Sequence, residues 1–135
     1  MSASLHHTII PAHDKHATAQ YFADLLELPD PQSSGFFLMI QLDDEAIINF
    51  AEPPVEFPPL HFAFLVDDAH FDRVLDRFTR DATEYWADPA RQRPGELGEV
   101  DGAPDGRRMY FIDPTAGHYL ELITRRYVLA EAITG

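Results

Sequence analysis

One succession of sequence signals occurs twice in this chain, about 54 residues apart, and a repeated unit of that length leaves few folds open. In the first copy Leu5–Ala12, with Ile9 and Ile10, reads as a short strand that meets a proline. Asp14 then has the place of a helix cap, and Thr18, Tyr21, Phe22, Leu25 and Leu26 recur at three- and four-residue spacing through Leu28, before Pro29 and Pro31. Phe36–Leu42 and Ala46–Phe50 flank the acidic turn Asp43-Asp44-Glu45 and predict an antiparallel hairpin. The proline-rich stretch 53–59, PPVEFPP, cannot continue a sheet ladder and reads as an extended connector. The order then restarts. His61–Val66 is an apolar strand, Asp67 or Asp68 caps a helix striped by Phe71, Val74, Leu75 and Phe78, and Thr83–Trp86 reads as a short strand. Arg108–Ile112 and His118–Thr124, joined by the turn Asp113–Gly117, close the copy.

These signals predict one α+β domain over residues 1–135: module one about 4–52, a linker at 53–59, module two about 60–126, and a tail 127–135 that is helical through Tyr127–Ala132. The segment from Asp88 to Gly106 is too rich in Gly, Pro and charge for regular structure and reads as a long loop, either a lid or disordered. The apolar content of 45% with 24% charged residues belongs to a folded chain rather than a disordered one. A net charge of −13 repels phosphate backbones and anionic lipid, so neither nucleic acid nor membrane is an expected partner; a small molecule is. No apolar run is long enough to span a bilayer and the N-terminus lacks a leader pattern, which predicts a cytoplasmic protein. Without cysteine, any metal must sit on His, Asp or Glu.

His7 and His61 each open the first strand of a copy. A lone histidine on an apolar strand is more often a core or surface residue than a ligand, but two at equivalent places in a repeat are candidates together. Glu121 alternates with apolar neighbours in the last strand, where a carboxylate is costly without a cation. Two imidazoles and one carboxylate can occupy one face of an octahedral ion and leave three positions open. Weaker candidates are His13 with His16 at a helix start, a spacing commoner for solvated histidines, and His118, on the opposite strand face from Glu121 and read as structural or exposed. Arg91, Arg93, Arg107 and Arg108 concentrate positive charge in or beside the 88–106 segment; they form either a solvated face or a lid that meets an anionic or phenolate substrate.

The segments HTIIPAHD, HFAFLVDD and YFIDPTAGHYLELI, over nearly the whole chain, resemble the vicinal-oxygen-chelate superfamily of glyoxalases, bleomycin- and fosfomycin-resistance proteins and extradiol dioxygenases. That resemblance implies two βαβββ modules forming a cupped mixed sheet, with metal ligands His7, His61 and Glu121. The fourth ligand position falls on Asn49, an amide where glyoxalases carry an acid, and so a substrate-binding residue here together with Arg108. The fosfomycin type relies on a lysine, whereas the single lysine of this chain, Lys15, starts a helix. The extradiol pattern Tyr-x-x-Asp-Pro-x-Gly is matched by Tyr110, Asp113 and Pro114 with one extra residue before Gly117, which implies a catalytic Tyr110; the additional histidine of larger extradiol enzymes is missing. The chain is most similar to dioxygenase-like proteins of aromatic polyketide biosynthesis, such as that of the chartreusin pathway. The resemblance thus implies a homodimeric Fe(II) dioxygenase, with Mn, Ni, Co or Zn as other metals, that cleaves or rearranges an aromatic or quinol-like molecule. The alternatives are a lyase, isomerase or transferase on the same triad and a metal-free binding protein of the bleomycin-resistance kind.

Overall fold

Asp14 starts the first helix as its position predicts, its carboxylate accepting the otherwise unpaired backbone N–H groups of His16 and Ala17. Asp67 does the same for the second helix through the N–H of His70. Around these helices a computed structural model, which describes residues 2–129, builds two units: one reaching to Pro59 and including Asp113–Gly117, the other made of Leu60–Ile112 and the chain from His118 onward. Residues 127–129 of the expected tail helix have no regular structure, and 130–132 lie outside the described residues.

The first unit runs β1 (His7–Pro11), α1 (Lys15–Leu25), β2 (Gln32–Ser34), β3 (Phe37–Gln41) and β4 (Ile47–Ala51), with β1 parallel to β4 in a sheet ordered β1-β4-β3-β2. The second repeats it as β5 (His61–Leu65), α2 (Asp68–Asp81), β6 (Gly98–Val100), β7 (Ala103–Ile112) and β8 (Tyr119–Ile123), ordered β5-β8-β7-β6 with β5 parallel to β8. Two βαβββ modules are therefore present. In each, one sheet face packs on the helix: Phe22 of α1 lies 5.2 Å from Phe50, and Phe78 of α2 lies 4.9 Å from Phe111, ring centre to ring centre. Fully burying such a ring stabilises by roughly 1.5–3 kcal/mol, which pins the helix and with it the sheet's other face.

Three local expectations change. Thr83–Trp86 is not a strand: Ala82 ends α2 in the left-handed conformation, and only Trp86 bridges to β7, at Tyr110, and to Pro94. The third element of this module lies instead within the segment expected to be irregular, as β6 and the start of β7. The glycines there serve pairing rather than preventing it. A Cβ on Gly98 would stand 2.6 Å from the Ala87 carbonyl oxygen, and Gly102 turns the β6–β7 hairpin at φ +75. In the first module β2 consists of exposed polar residues that pair with β3 through backbone alone, so no apolar alternation marks it.

Candidate functional site

The registers of β1, β4 and β3 correspond residue by residue to those of β5, β8 and β7. His7 lies opposite Ile47 on β4, two residues before Asn49, and His61 lies opposite Tyr119 on β8, two before Glu121. Asn49 faces Met39 on β3, where Glu121 faces Tyr110 on β7. Alternation puts all of these on the sheet faces away from the helices.

In the second unit this face becomes a site. His61 Nε2 and Glu121 Oε1 are 3.0 Å apart, a hydrogen bond when that nitrogen carries its proton. The His61 side chain is half exposed, whereas the Glu121 side chain is only 3% exposed although it points away from the helix side. The cover comes from the tail. Tyr127, six residues past Glu121, folds back so that its hydroxyl donates a hydrogen bond to Oε2, and Arg108 Nη1 reaches the same hydroxyl at 3.4 Å. The tail is held by the β6–β7 turn: Val128 N–H donates to Asp101 O, Arg108 Nη1 pairs with Asp101 at 3.2 Å, and a Cβ on Gly102 would stand 2.7 Å from Val128. Burial, and after it the hydrogen bond to Glu121, push the Tyr127 phenol above the usual tyrosine range.

Beside this pair lies a cavity of about 180 Å³ with His61, Trp86, Arg91, Tyr110 and Tyr119 in its wall. It is somewhat larger than the roughly 150 Å³ that accepts a benzene ring. The Tyr110 ring lies 6.1 Å from His61, and the Arg108 guanidinium lies 5.3 Å over it. Burial first, then the charge of Glu121, push the Tyr110 phenol well above its ordinary range, so it is kept protonated, a donor. Asp113 fixes the turn after β7. Its Oδ1 accepts from the Thr115 backbone and hydroxyl and its Oδ2 from Ala116 N–H, while Gly117 takes φ +81.

Of the residues expected to hold a metal, the structure brings His61 and Glu121 together. His7 stands on the first unit with its Nδ1 3.0 Å from that of His6. Among the described residues no three His, Asp or Glu side chains gather into a metal-binding group. Asn49 keeps its Oδ1 buried with no hydrogen-bond partner. Arg108 spends one nitrogen on Asp101 and Tyr127, and its Nε is buried and unpartnered. His13 stacks on Phe57 at 4.6 Å, and buried His118 accepts the N–H of Leu60. In the sequence Tyr127 stands only as the start of an expected tail helix and not as a site residue: it lies outside both repeats, and its six-residue spacing from Glu121 is its one local signal.

The donor pair fits a metal. Two adjacent donors about 2.1 Å from one octahedral ion stand roughly 3 Å apart, which is the His61–Glu121 distance, and one imidazole with one carboxylate suits a divalent transition ion.

Paired βαβββ modules, each opening on a strand that begins with histidine, define the class of fold. The chain belongs to the vicinal-oxygen-chelate superfamily. It is similar to the oxidase ChaP-H1 at 39% identity over 93% of this chain and 98% of that one, with a TM-score of 0.84. For the oxidase ChaP-H2 the identity is 39%, over 94% and 97%, with a TM-score of 0.84. A lactoylglutathione lyase from Agrobacterium tumefaciens shares the fold at 16% identity over 91% and 94%, TM-score 0.66. No family model matches the chain, and no curated protein matches it in sequence. Among the described residues no helix is long and apolar enough to cross a membrane.

Proposed function

We propose that this chain is a metal-dependent oxidase or dioxygenase acting on an aromatic or quinol-like small molecule. The observation that carries the reading is the His61–Glu121 pair at the wall of an aromatic cavity, in a chain 39% identical to two oxidases. His61 and Glu121 would hold the metal, with His7 as the third ligand that the family resemblance assigns. An Fe(II) ion supplies the means to bind vicinal oxygens of a substrate and to activate dioxygen. The protein's part is positioning. Tyr127 fixes the Glu121 carboxylate with Oε1 toward His61, Trp86 and Tyr119 wall a planar ring, and Tyr110 offers a phenolic proton to charge that develops on the reacting ring. The family resemblance assigns Asn49 to substrate binding, and its Oδ1 has no hydrogen-bond partner in its own unit.

Metal content and oxygen uptake after anaerobic Fe(II) loading, with a panel of catechols and hydroquinones, test this. About one metal per chain and substrate-dependent oxygen uptake are expected, both lost in His61→Ala and Glu121→Ala and both kept in His13→Ala. Full metal occupancy in either of the first two variants would overturn the site. Metal binding without oxygen uptake on any substrate would replace the oxidase with a lyase, isomerase or transferase.

A further inference from the structure

We propose that Arg91 selects an anionic aromatic substrate for the cavity beside His61; this rests on the preceding reading only in taking that cavity as the substrate's place. The arginines on and beside this segment differ in what they do. Arg93 pairs with Glu96 at 3.2 Å, Arg107 with Asp72 at 2.7 Å and with Asp68, and Arg108 with Asp101. Arg91 has no carboxylate among the described residues. Its guanidinium instead lies 5.8 Å from the Trp86 ring and 5.6 Å from the Tyr119 ring, both in the cavity wall. Of the four arginines in or beside this segment, Arg91 is the one that stands at the aromatic cavity without a carboxylate partner among the described residues.

Its backbone is held there. Arg91 has φ 59, a left-handed conformation that a residue with a side chain adopts only at a cost. The surrounding turn enforces it: the Asp88 carboxylate accepts the N–H groups of Gln92 and Arg93, Asp88 O accepts that of Arg91, and Arg93 O accepts that of Ala87. A loop tied this way presents its cation without paying the ordering entropy on binding. The planar guanidinium matches a carboxylate in two parallel hydrogen bonds, can donate to the single oxygen of an ionised phenol, and stacks on the same rings that would flank the ligand. The substrate class is therefore a planar aromatic with its oxygenated edge at His61 and an anionic group at Arg91.

The chain's single tryptophan is Trp86, so its fluorescence reports the cavity directly. Quenching is titrated with 3,4-dihydroxybenzoate and with 4-methylcatechol, which differ by a carboxylate for a methyl group. Metal-free and Zn(II)-loaded protein are both used. Wild type should prefer the acid by about ten-fold, the scale of one charge-assisted hydrogen bond, and the preference should shrink with added salt. Arg91→Gln should remove the preference while leaving 4-methylcatechol affinity within about two-fold, and Arg91→Lys should recover part of it. A preference kept in Arg91→Gln, no preference in wild type, or no quenching by either compound at millimolar concentration overturns the proposal. Failure of the metal reading looks different: 4-methylcatechol would bind the Zn(II)-loaded and metal-free proteins equally, and the Arg91 comparison would still be legible in both.

Discussion

Replacing Tyr127 with Phe removes a single hydroxyl, and the structure says what that hydroxyl does. Glu121 has two oxygens and almost no solvent: Oε1 faces His61, and Oε2 receives the Tyr127 proton. The phenylalanine ring retains the packing, so the loss is confined to a hydrogen bond on a buried charged acceptor, about 1.5–3 kcal/mol. Part of that is recovered because Tyr127 is 38% exposed and water can approach, leaving about 1–2 kcal/mol. At about 1.4 kcal/mol per factor of ten, metal affinity should fall by roughly five- to thirty-fold, overlapping the ten- to hundred-fold range for residues that orient a ligand. The assay is competition for Co(II) or Zn(II) against a chromophoric chelator, with Tyr119→Phe as a control on the same face that leaves affinity unchanged. Affinity within two-fold of wild type in a folded Tyr127→Phe protein would refute the reasoning. Tighter binding would refute it too, by showing that Tyr127 competes for Oε2 rather than aiming the carboxylate.

Four further outcomes follow from the same geometry. Gly102→Ala places a Cβ 2.7 Å from Val128 and so should weaken metal binding by dislodging Tyr127; chelator competition on the double variant with Tyr127→Phe should show no additional loss. Asn49→Asp should leave metal binding intact or tighten it, since it adds a charge at the position equivalent to Glu121, and loss of the metal in that variant would contradict this. Tyr110→Phe should keep the metal and lower turnover by roughly ten- to a thousand-fold, read by steady-state kinetics on any catechol that consumes oxygen. The hydrogen bond from Arg107, and with it that from Arg125, hold Asp68 below the ordinary aspartate pKa, so its contribution is present at neutral pH and lost as pH falls through the lowered value. Urea unfolding of Asp68→Asn should show a deficit at pH 7 that begins to shrink only near the ordinary aspartate pKa of about 4 and disappears once the pH is below the lowered value.

Helix caps and apolar periodicity could be read from the chain because each is a local device: Asp14 and Asp67 cap helices regardless of what packs on them, and the Phe71–Val74–Phe78 stripe needs only a period. The β6 strand could not, because Gly98 and Gly102 look like loop residues until the carbonyl of Ala87 and the backbone of Val128 are seen beside them. The same division runs through the site. The repeat singled out His61, and the apolar alternation around Glu121 singled out that residue, but neither reveals that Glu121 is buried by a tyrosine from outside the repeat. The four arginines of the charged segment looked alike in sequence. Their partners separate them, and partners such as Asp68 lie more than thirty residues away, beyond any spacing rule.

The two modules supply equal frames, and a buried carboxylate stands in one of them. On the outward face of the first module the positions around His7 are Ile9, Ile47, Met39 and Asn49: aliphatic, flexible and neutral. The corresponding positions around His61 are Ala63, Tyr119, Tyr110 and Glu121. Each exchange has a consequence. Isoleucine to alanine removes bulk beside the carboxylate, methionine to tyrosine adds a proton donor, and asparagine to glutamate adds a charge that must be covered. That last change requires something the repeat cannot provide, a donor for the second carboxylate oxygen, and the chain meets it with the tail that follows β8 rather than with a strand residue. Asn49, neutral, needs no such cover, and its Oδ1 is buried without a hydrogen-bond partner. The tail is thus part of the site because the fold's symmetry was broken at Glu121.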